Sequence, residues 1–493
     1  MKDLGEKPFR LAKDIGLLAI IASAISEEYG AGINAVTTST LSVYPGAEYL
    51  VPLAVFLSGI ILLPKVIMYV GFGKHMSKSG GWYVWMSRTL HPSIAFVVSF
   101  VRWVVVSAAM GIVAFTLGSF VAEFLSLLGV HGAVFLAEPL GRFLLGLSVI
   151  WVIFAIQFSG VRRYGILVSI VLILIFIEAF TIIVIGFFTP SSLFISLVSS
   201  KVHVTLSPPK SVGPVSASAV LGVMGLFLFS YSGLSGAPFL GGESKDAKKD
   251  MPRGILISWL TAVILYTLIT LALFTVAPWW AVIDLLKSKA SYFATAPGIV
   301  SLVAPNWVGL LLTGLVSIIV AKTIAPIMME HSRLLFAWSQ DGILPKSLTH
   351  VNRFRAPDVA LFISSLLATV FLTDFTFINF NIGLVMSAVA LMLLIAFLGA
   401  GVIVSSMRRV KRDWEKRISS LIMLVGAVGG IIIAAIIIPS VIFSTNVPFY
   451  FQPWFQLVIS IIVAIVIYVS AELSYRRNGR SLSREIMEKL PPE

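Results

Sequence analysis

The sequence contains no cysteine, so disulfides, thiolate metal sites and cysteine nucleophiles are excluded at once. Charge is scarce as well: 12% of the 493 residues are Asp, Glu, Lys or Arg, about half the share found in an ordinary soluble domain. A soluble fold is excluded by that composition. None of the six histidines stands at metal-ligand spacing from another His, Asp or Glu inside an apolar segment, so neither a metal nor another cofactor is expected. The patterns Gly-x-Ser-x-Gly and His-x-x-x-His are both missing, which argues against a membrane-embedded enzyme. The formal charge of +13 has no single basic face behind it, because the Lys and Arg residues are scattered among short polar stretches. Nucleic acid is therefore not an expected partner. No signal-peptide cleavage pattern follows the polar stretch Met1 to Lys13, so the first apolar segment is expected to stay as an anchor.

What the chain has in excess is apolar surface, 58% of its residues being hydrophobic. Runs of roughly 20 apolar residues, enough to cross about 30 Å of hydrocarbon as helix, recur along it. Gly, Pro and charge punctuate them into spans at 15–43, 50–72, 93–125, 142–158, 164–188 and 213–240, then 254–277, 303–338, 358–373, 377–405, 418–439 and 454–474. With both termini inside, the inner loops and tails hold Lys74, Lys78, Arg88, Arg162, Arg163, Lys245, Lys248, Lys249, Arg253, Lys346, Arg353, Arg355 and the basic stretches 408–417 and 476–489. The outer loops hold only Arg142, Lys201, Lys210, Lys287 and Lys289. This asymmetry fits the positive-inside rule, and Trp279, Trp280, Tyr450 and Trp454 fall at outer span ends, where amphipathic rings favour the interface. The expected fold class is an all-α integral membrane protein with 12 transmembrane helices, multi-pass in a plasma membrane, with both termini cytoplasmic and the lipid bilayer as its solvent.

Two spans are interrupted. Span 1 reads Ser26-Glu27-Glu28-Tyr29-Gly30-Ala31-Gly32-Ile33-Asn34, two carboxylates and two glycines near its middle. Glycine lacks the steric bar to non-helical dihedrals, so the backbone is able to unwind here and line a cavity; close helix packing is the other reading of the same glycines. Span 6 reads Phe229-Ser230-Tyr231-Ser232-Gly233-Leu234-Ser235-Gly236, followed by Pro238. Broken first helices in two successive five-helix units point to an inverted-repeat transporter, with half-helix N-termini facing an anion and C-terminal carbonyls a cation. A zwitterionic amino acid offers both charges.

At these residues the chain resembles the amino acid, polyamine and organocation superfamily, whose members share the leucine-transporter fold of two inverted five-helix repeats with broken helices 1 and 6, plus two C-terminal helices. Gly30-Ala31-Gly32-Ile33 resembles the family's break in the first helix, and Gly80-Gly81-Trp82-Tyr83-Val84 the entry to the third. Phe229 to Leu234, Gly242-Glu243 and Pro252-Arg253 resemble the sixth helix and the loop behind it; Ser332-Arg333-Leu334-Leu335-Phe336-Ala337, Asp341-Gly342-Ile343-Leu344-Pro345 and Pro357 resemble the inner end of the eighth. The Glu and Pro that many members place before the Gly-Gly pair read here as Gly71 and Ser77, and the Asn-Pro after the loop glutamate is absent. The resemblance implies a core of ten spans over residues 14–405, two further spans over 406–475, and cytoplasmic tails at 1–13 and 476–493. It also implies that a substrate carboxylate meets the amides of Ala31, Gly32, Ile33 and Asn34, that the amine meets carbonyls around Tyr29, Gly30 and Tyr231, and that Phe229 closes over the substrate beside Ser232, Gly233 and Leu234.

Charge inside a membrane costs about 2.5 to 3.5 kcal/mol per residue on insertion scales, so each case calls for a reason. Lys322 lies near the centre of span 8, beyond comfortable snorkelling reach of either end. Four residues later Pro326 cannot donate to its carbonyl, which marks a place for a kink. By resemblance Lys322 stands at a hydroxyl ligand of a sodium site between spans 1 and 8, so its ammonium would replace that ion; the alternative is a structural ion pair with Glu27 or Glu28. Those two point about 100° apart on a helix, so at most one faces Lys322 squarely. Glu178, alone in span 5, is either a proton site or a neutral acid hydrogen-bonded in the bundle. Arg102 and Lys65 read as snorkelling residues at inner span ends, and Glu330 with Arg333 as a helix-surface pair. The functional expectation is a secondary active transporter of amino acids, sodium-independent and either proton-coupled or exchanging. A polyamine or organic-cation carrier, or an amino acid sensor, is the alternative, the short tails standing against the sensor.

Overall fold

A bilayer leaves a spanning backbone no partner but itself, and the chain answers with helices throughout. The computed structural model describes residues 11–30, 32–209, 215–288, 293–378, 384–442, 449 and 452–489; Ala31, Lys210, Lys289 and Tyr450 lie outside them. Among the described residues there is no strand, only an isolated bridge between Ile15 and Ser244.

Among the described residues, eleven helices are long and apolar enough to cross a membrane. They are span 2 (Pro45–His75), span 3 (Pro92–Leu127), span 4 (Pro139–Phe158), span 5 (Val161–Phe188), span 6 (Ala217–Glu243), span 7 (Ala247–Val276), span 8 (Asn306–Gln340), span 9 (Asp358–Ile378), span 10 (Met386–Met407), span 11 (Leu421–Pro439) and span 12 (Pro453–Arg477). Span 1 is the twelfth segment, broken into Leu17–Glu28 and a second half in which a π-helical turn, Gly32–Val36, runs into Thr37–Val43. Neither half is long enough to cross alone, since even 17 residues are needed. Large apolar side chains such as Phe180 and Phe188 on span 5, Ile436 on span 11 and Val466 on span 12 are exposed, as lipid-facing positions must be.

The neighbours of each span reveal a repeat. Span 1 packs on spans 5 and 7, and span 6 packs on spans 10 and 2. Span 3 packs on spans 4 and 9, and span 8 on spans 9 and 4; span 5 meets span 8 as span 10 meets span 3. Each of these contacts maps onto its partner when every span is exchanged for the one five places away. Because successive spans alternate in direction, a five-span offset inverts the second unit relative to the first. Spans 11 and 12 stand outside the repeat, span 11 against spans 2 and 10 and span 12 against span 3.

The first and last described segments share one face, the termini face. Ile15 donates its N–H to the Glu243 carbonyl and accepts from Lys245 N–H (3.0 and 2.9 Å), while the tail helix Leu482–Glu488 docks against the helix Gly81–Thr89 that leads into span 3. Arg88 on that helix holds Asp341 through two bonds of 2.6 Å and donates to the Lys489 carbonyl; Tyr83 adds a third bond to Asp341 at 2.7 Å. The short helices Ala133–Ala137, Ser191–Lys201, Trp279–Lys287 and Ala296–Val303 cover the far face. Span 8 continues as α-helix through Pro326.

Candidate functional site

The break in span 1 meets the part of span 6 where α-helix (Ala217–Ser230) tightens into 3₁₀ turns (Tyr231–Ser235 and Ala237–Glu243). Gly233 of span 6 is so close to the end of the first half-helix that a Cβ on it would lie 2.5 Å from the Glu28 backbone nitrogen. Gly30 and Gly32 are pressed against spans 8 and 6: a Cβ at Gly30 would sit 2.4 Å from Thr323 Oγ1, and one at Gly32 2.5 Å from Ser230 Oγ. Neither glycine has a positive φ. Their service is therefore close approach, the packing reading of the sequence, and the break itself lies at Tyr29, whose extended backbone (φ −83°, ψ 101°) ends the first half-helix.

At that end the C-terminal carbonyls have lost their helical partners, and Lys322 supplies one. Its Nζ donates to the carbonyls of Ser26 at 2.5 Å and Tyr29 at 2.9 Å. The ammonium is buried and makes no ion pair with Glu27 or Glu28. Glu178 is the principal acidic influence on it, and Glu178 also neighbours the Tyr29 hydroxyl and the Asn34 amide. Asn34 folds back on the break, its side chain and main-chain N–H both donating to the Gly30 carbonyl.

Beside the break lies a cavity of about 40 Å³, room for about three waters. Glu27, Glu28, Gly30 and Gly32 of span 1 form one wall, and Phe229, Ser230 and Ser232 of span 6 another. Opposite them span 3 presents Arg102, Val105, Val106, Ala109 and Val113, one face at helical spacing, with Thr323 and Ile327 of span 8 and Ser387 of span 10 completing the lining. Tyr29, Ile33, Asn34, Tyr231, Gly233, Leu234, Glu178 and Lys322 do not line it. Tyr231 turns away, its hydroxyl donating to the Val55 carbonyl and its ring 4.8 Å from that of Tyr266.

Two expectations about charge are corrected here. Arg102 and Lys65 do not snorkel: both are buried, Arg102 paired with Glu330 at 3.1 Å and Lys65 lying 5.3 Å from the centre of the Tyr69 ring. Glu330 and Arg333 are not partners of each other, because Arg333 turns to Glu243 with bonds of 2.8 and 3.3 Å. That second pair ties span 8 to the end of span 6 on the termini face. Glu27, Glu28 and Glu330 thus share one buried region with Lys65 and Arg102, three carboxyls against two cations. On the far face, Thr38 Oγ1 donates to the Ala294 carbonyl and fastens the loop after span 7 onto the second half of span 1.

Among the described residues no group of three His, Asp or Glu is placed to hold a metal ion. A small cavity between the broken span 1 and the 3₁₀ segment of span 6, inside an inverted five-span repeat, defines a carrier of small molecules. Residues 15–470 match the family model of the amino acid permeases, and the chain belongs to that family: it is a multi-pass membrane transporter of amino acids and not an enzyme. Its relatives include the branched-chain amino acid permease BcaP of Bacillus subtilis (strain 168), 24% identical over 72% of this chain and 73% of that one. The branched-chain amino acid permease BcaP of Lactococcus lactis subsp. cremoris (strain MG1363) is 23% identical over 70% and 74%. The vacuolar cationic amino acid transporter 4 of Arabidopsis thaliana is 22% identical over 70% of this chain and 55% of its own length.

Proposed function

We propose that this chain carries neutral aliphatic amino acids across a plasma membrane by alternating access and without sodium, residues 14–405 forming the moving core and the termini face being cytoplasmic. The observation that carries the reading is Lys322. Its ammonium occupies the carbonyl cage at the end of the first half-helix, where a coupling cation would otherwise bind. The substrate carboxylate meets the first turn of the second half-helix at Gly32, the residue of that turn which lines the cavity and where the helix dipole favours an anion. The amine meets the side lined by Glu27, Glu28 and the Ser232 carbonyl, and the excess of one carboxyl in that cluster suits one added positive charge, an amine or a coupling proton. Phe229 covers the bound molecule, and the apolar face of span 3 takes its side chain. The two branched-chain permeases among the relatives support the same substrate class.

A second reading, cationic substrates, is favoured by the two carboxyls on the cavity wall and by the name of the Arabidopsis relative. Uptake of radiolabelled leucine and arginine into proteoliposomes, with and without sodium and a pH gradient, separates the readings. Leucine uptake without sodium is expected; a sodium requirement, or uptake of arginine alone, overturns the proposal.

A further inference from the structure

The far face holds a second and larger cavity, which shares no lining residue with the one beside the span 1 break. It measures about 460 Å³ and lies between the far ends of spans 3 and 4, within the size range of small-molecule sites. Two ionisable side chains reach it from different spans: Glu123, four residues before the end of span 3, and Arg142, in the first turn of span 4. Glu123 is 7% exposed, and its Oε1 has no hydrogen-bond partner. Arg142 is held in place from behind. Its Nε donates to the Ala137 carbonyl at 2.6 Å, its guanidinium lies 4.6 Å from the centre of the Phe115 ring, and its stem crosses Gly118 so closely that a Cβ there would be 2.5 Å from Arg142 Cγ. No ion pair joins Glu123 to Arg142, although both line the same space.

A buried carboxyl oxygen without a donor is costly, and the half-buried Arg142 commits its Nε to the protein while its terminal nitrogens stay available to a ligand. A ligand bearing both charges satisfies the two together. We propose that the far ends of spans 3 and 4 form a peripheral binding site for a compact zwitterion, Glu123 receiving its ammonium and Arg142 its acidic group. The guanidinium fork matches a carboxylate or phosphate through two parallel bonds. Ala122, Leu127 and Val134 supply an apolar wall for the rest of the ligand. A free neutral amino acid and the headgroup of phosphatidylethanolamine share this chemistry. The amino acid source rests on the transport reading above; the lipid source does not.

The test is the stoichiometry of tritiated leucine bound to the purified protein in phosphatidylglycerol nanodiscs, measured by equilibrium dialysis. Two leucines per chain are expected for the wild type and one for Glu123→Gln and for Arg142→Gln, with Arg142→Lys intermediate because it keeps the charge and loses the fork. Size-exclusion profiles monitor folding of each variant. If the lipid is the resident ligand, nanodiscs containing phosphatidylethanolamine lose the second leucine, and native mass spectrometry finds an adduct that Glu123→Gln lacks. One leucine per chain in both lipids, unchanged by either substitution and with no adduct dependent on Glu123, overturns the peripheral site and leaves the central one standing. A single leucine that disappears in Glu123→Gln, or a Glu123-dependent adduct with no leucine bound, supports the peripheral site and overturns the central reading.

Discussion

The ammonium of Lys322 on span 8 lies 2.5 Å from the carbonyl oxygen of Ser26 on span 1, and a second bond ties it to Tyr29. A carbonyl that ends a half-helix in the middle of a membrane has no water to turn to, so the position demands a donor from the protein or a bound cation. Here the cation is covalently part of the chain. It cannot diffuse away between cycles, and coupling through it requires either loss of its proton or a fixed charge around which exchange takes place.

Replacing Lys322 by Ala therefore leaves two carbonyls without a donor, at about 1 to 3 kcal/mol each. Leucine uptake by Lys322→Ala is expected to fall at least tenfold and to lose its dependence on pH. Lys322→Thr, which supplies a hydroxyl ligand instead, is expected to recover uptake only when sodium is present. Uptake by Lys322→Ala at the wild-type rate, with an unchanged pH profile, would remove Lys322 from the coupling scheme.

The glycines of span 1 make a different prediction from the one their dihedral freedom suggests. Since neither has a positive φ and a Cβ at Gly30 would lie 2.4 Å from Thr323 Oγ1, Gly30→Ala is expected to act as overpacking, at about 1 to 3 kcal/mol. Uptake should drop roughly tenfold, and the double variant Gly30→Ala with Thr323→Ala should regain most of it, a coupling that a double-mutant cycle measures directly. Failure of Thr323→Ala to rescue would return the glycine to a backbone role.

Most of the architecture was legible because a bilayer imposes one length on every crossing segment: the twelve apolar windows all coincide with helices or, in span 1, with two half-helices. The neighbourhood of the irregular turns was legible as Gly-rich stretches in spans 1 and 6, although the glycines serve close approach, the span 1 break lies at Tyr29, and span 6 passes into 3₁₀ turns without a break. What the sequence concealed was depth. Arg102 stands ten residues inside the start of span 3 and Lys65 ten residues before the end of span 2, each about 15 Å from its nearer boundary. Position along the helix leaves both within the zone where a long side chain turns to the interface, and only tertiary packing, which supplies Glu330 and the Tyr69 ring, keeps them inside. Partner choice was hidden for another reason. Glu330 and Arg333 satisfy the local spacing rule for a pair, but that rule knows nothing of Arg102 and Glu243, which tertiary packing brings closer.

The pair Glu243–Arg333 is the buried fastening of the termini face, with side chains 0% and 1% exposed. Breaking such a pair from one side costs about 3 to 5 kcal/mol. The absence of cysteine makes the consequence measurable, because one introduced thiol is the only one present. Ser232→Cys, on the cavity wall, should react slowly with an impermeant maleimide applied from the termini face. Adding Glu243→Gln should speed that reaction at least tenfold as the face opens. Equal labelling rates in the two backgrounds would mean that this pair does not hold the face shut.

The remaining prediction concerns what the cavity accepts. Val105, Val106, Ala109 and Val113 give span 3 an aliphatic face toward the cavity, with Ile327 beside it, and each methylene buried there contributes about 0.8 kcal/mol. Leucine carries three more carbons than alanine, so it should compete for uptake about 50-fold more strongly. Ala109→Phe fills the same space and should lower leucine uptake more than alanine uptake, reversing part of that preference. Arginine also reaches toward the cluster of Glu27, Glu28 and Glu330, but Arg102 already pairs with Glu330, and a second guanidinium beside it meets like charge. Arginine and polyamines are accordingly expected to inhibit leucine uptake weakly. Removing the resident charge should change the order: Arg102→Gln leaves three carboxyls facing one lysine, and arginine should gain at least tenfold relative to leucine. If arginine displaces leucine in the wild type as well as unlabelled leucine does, or if Arg102→Gln leaves the ratio untouched, the buried cluster does not set substrate charge.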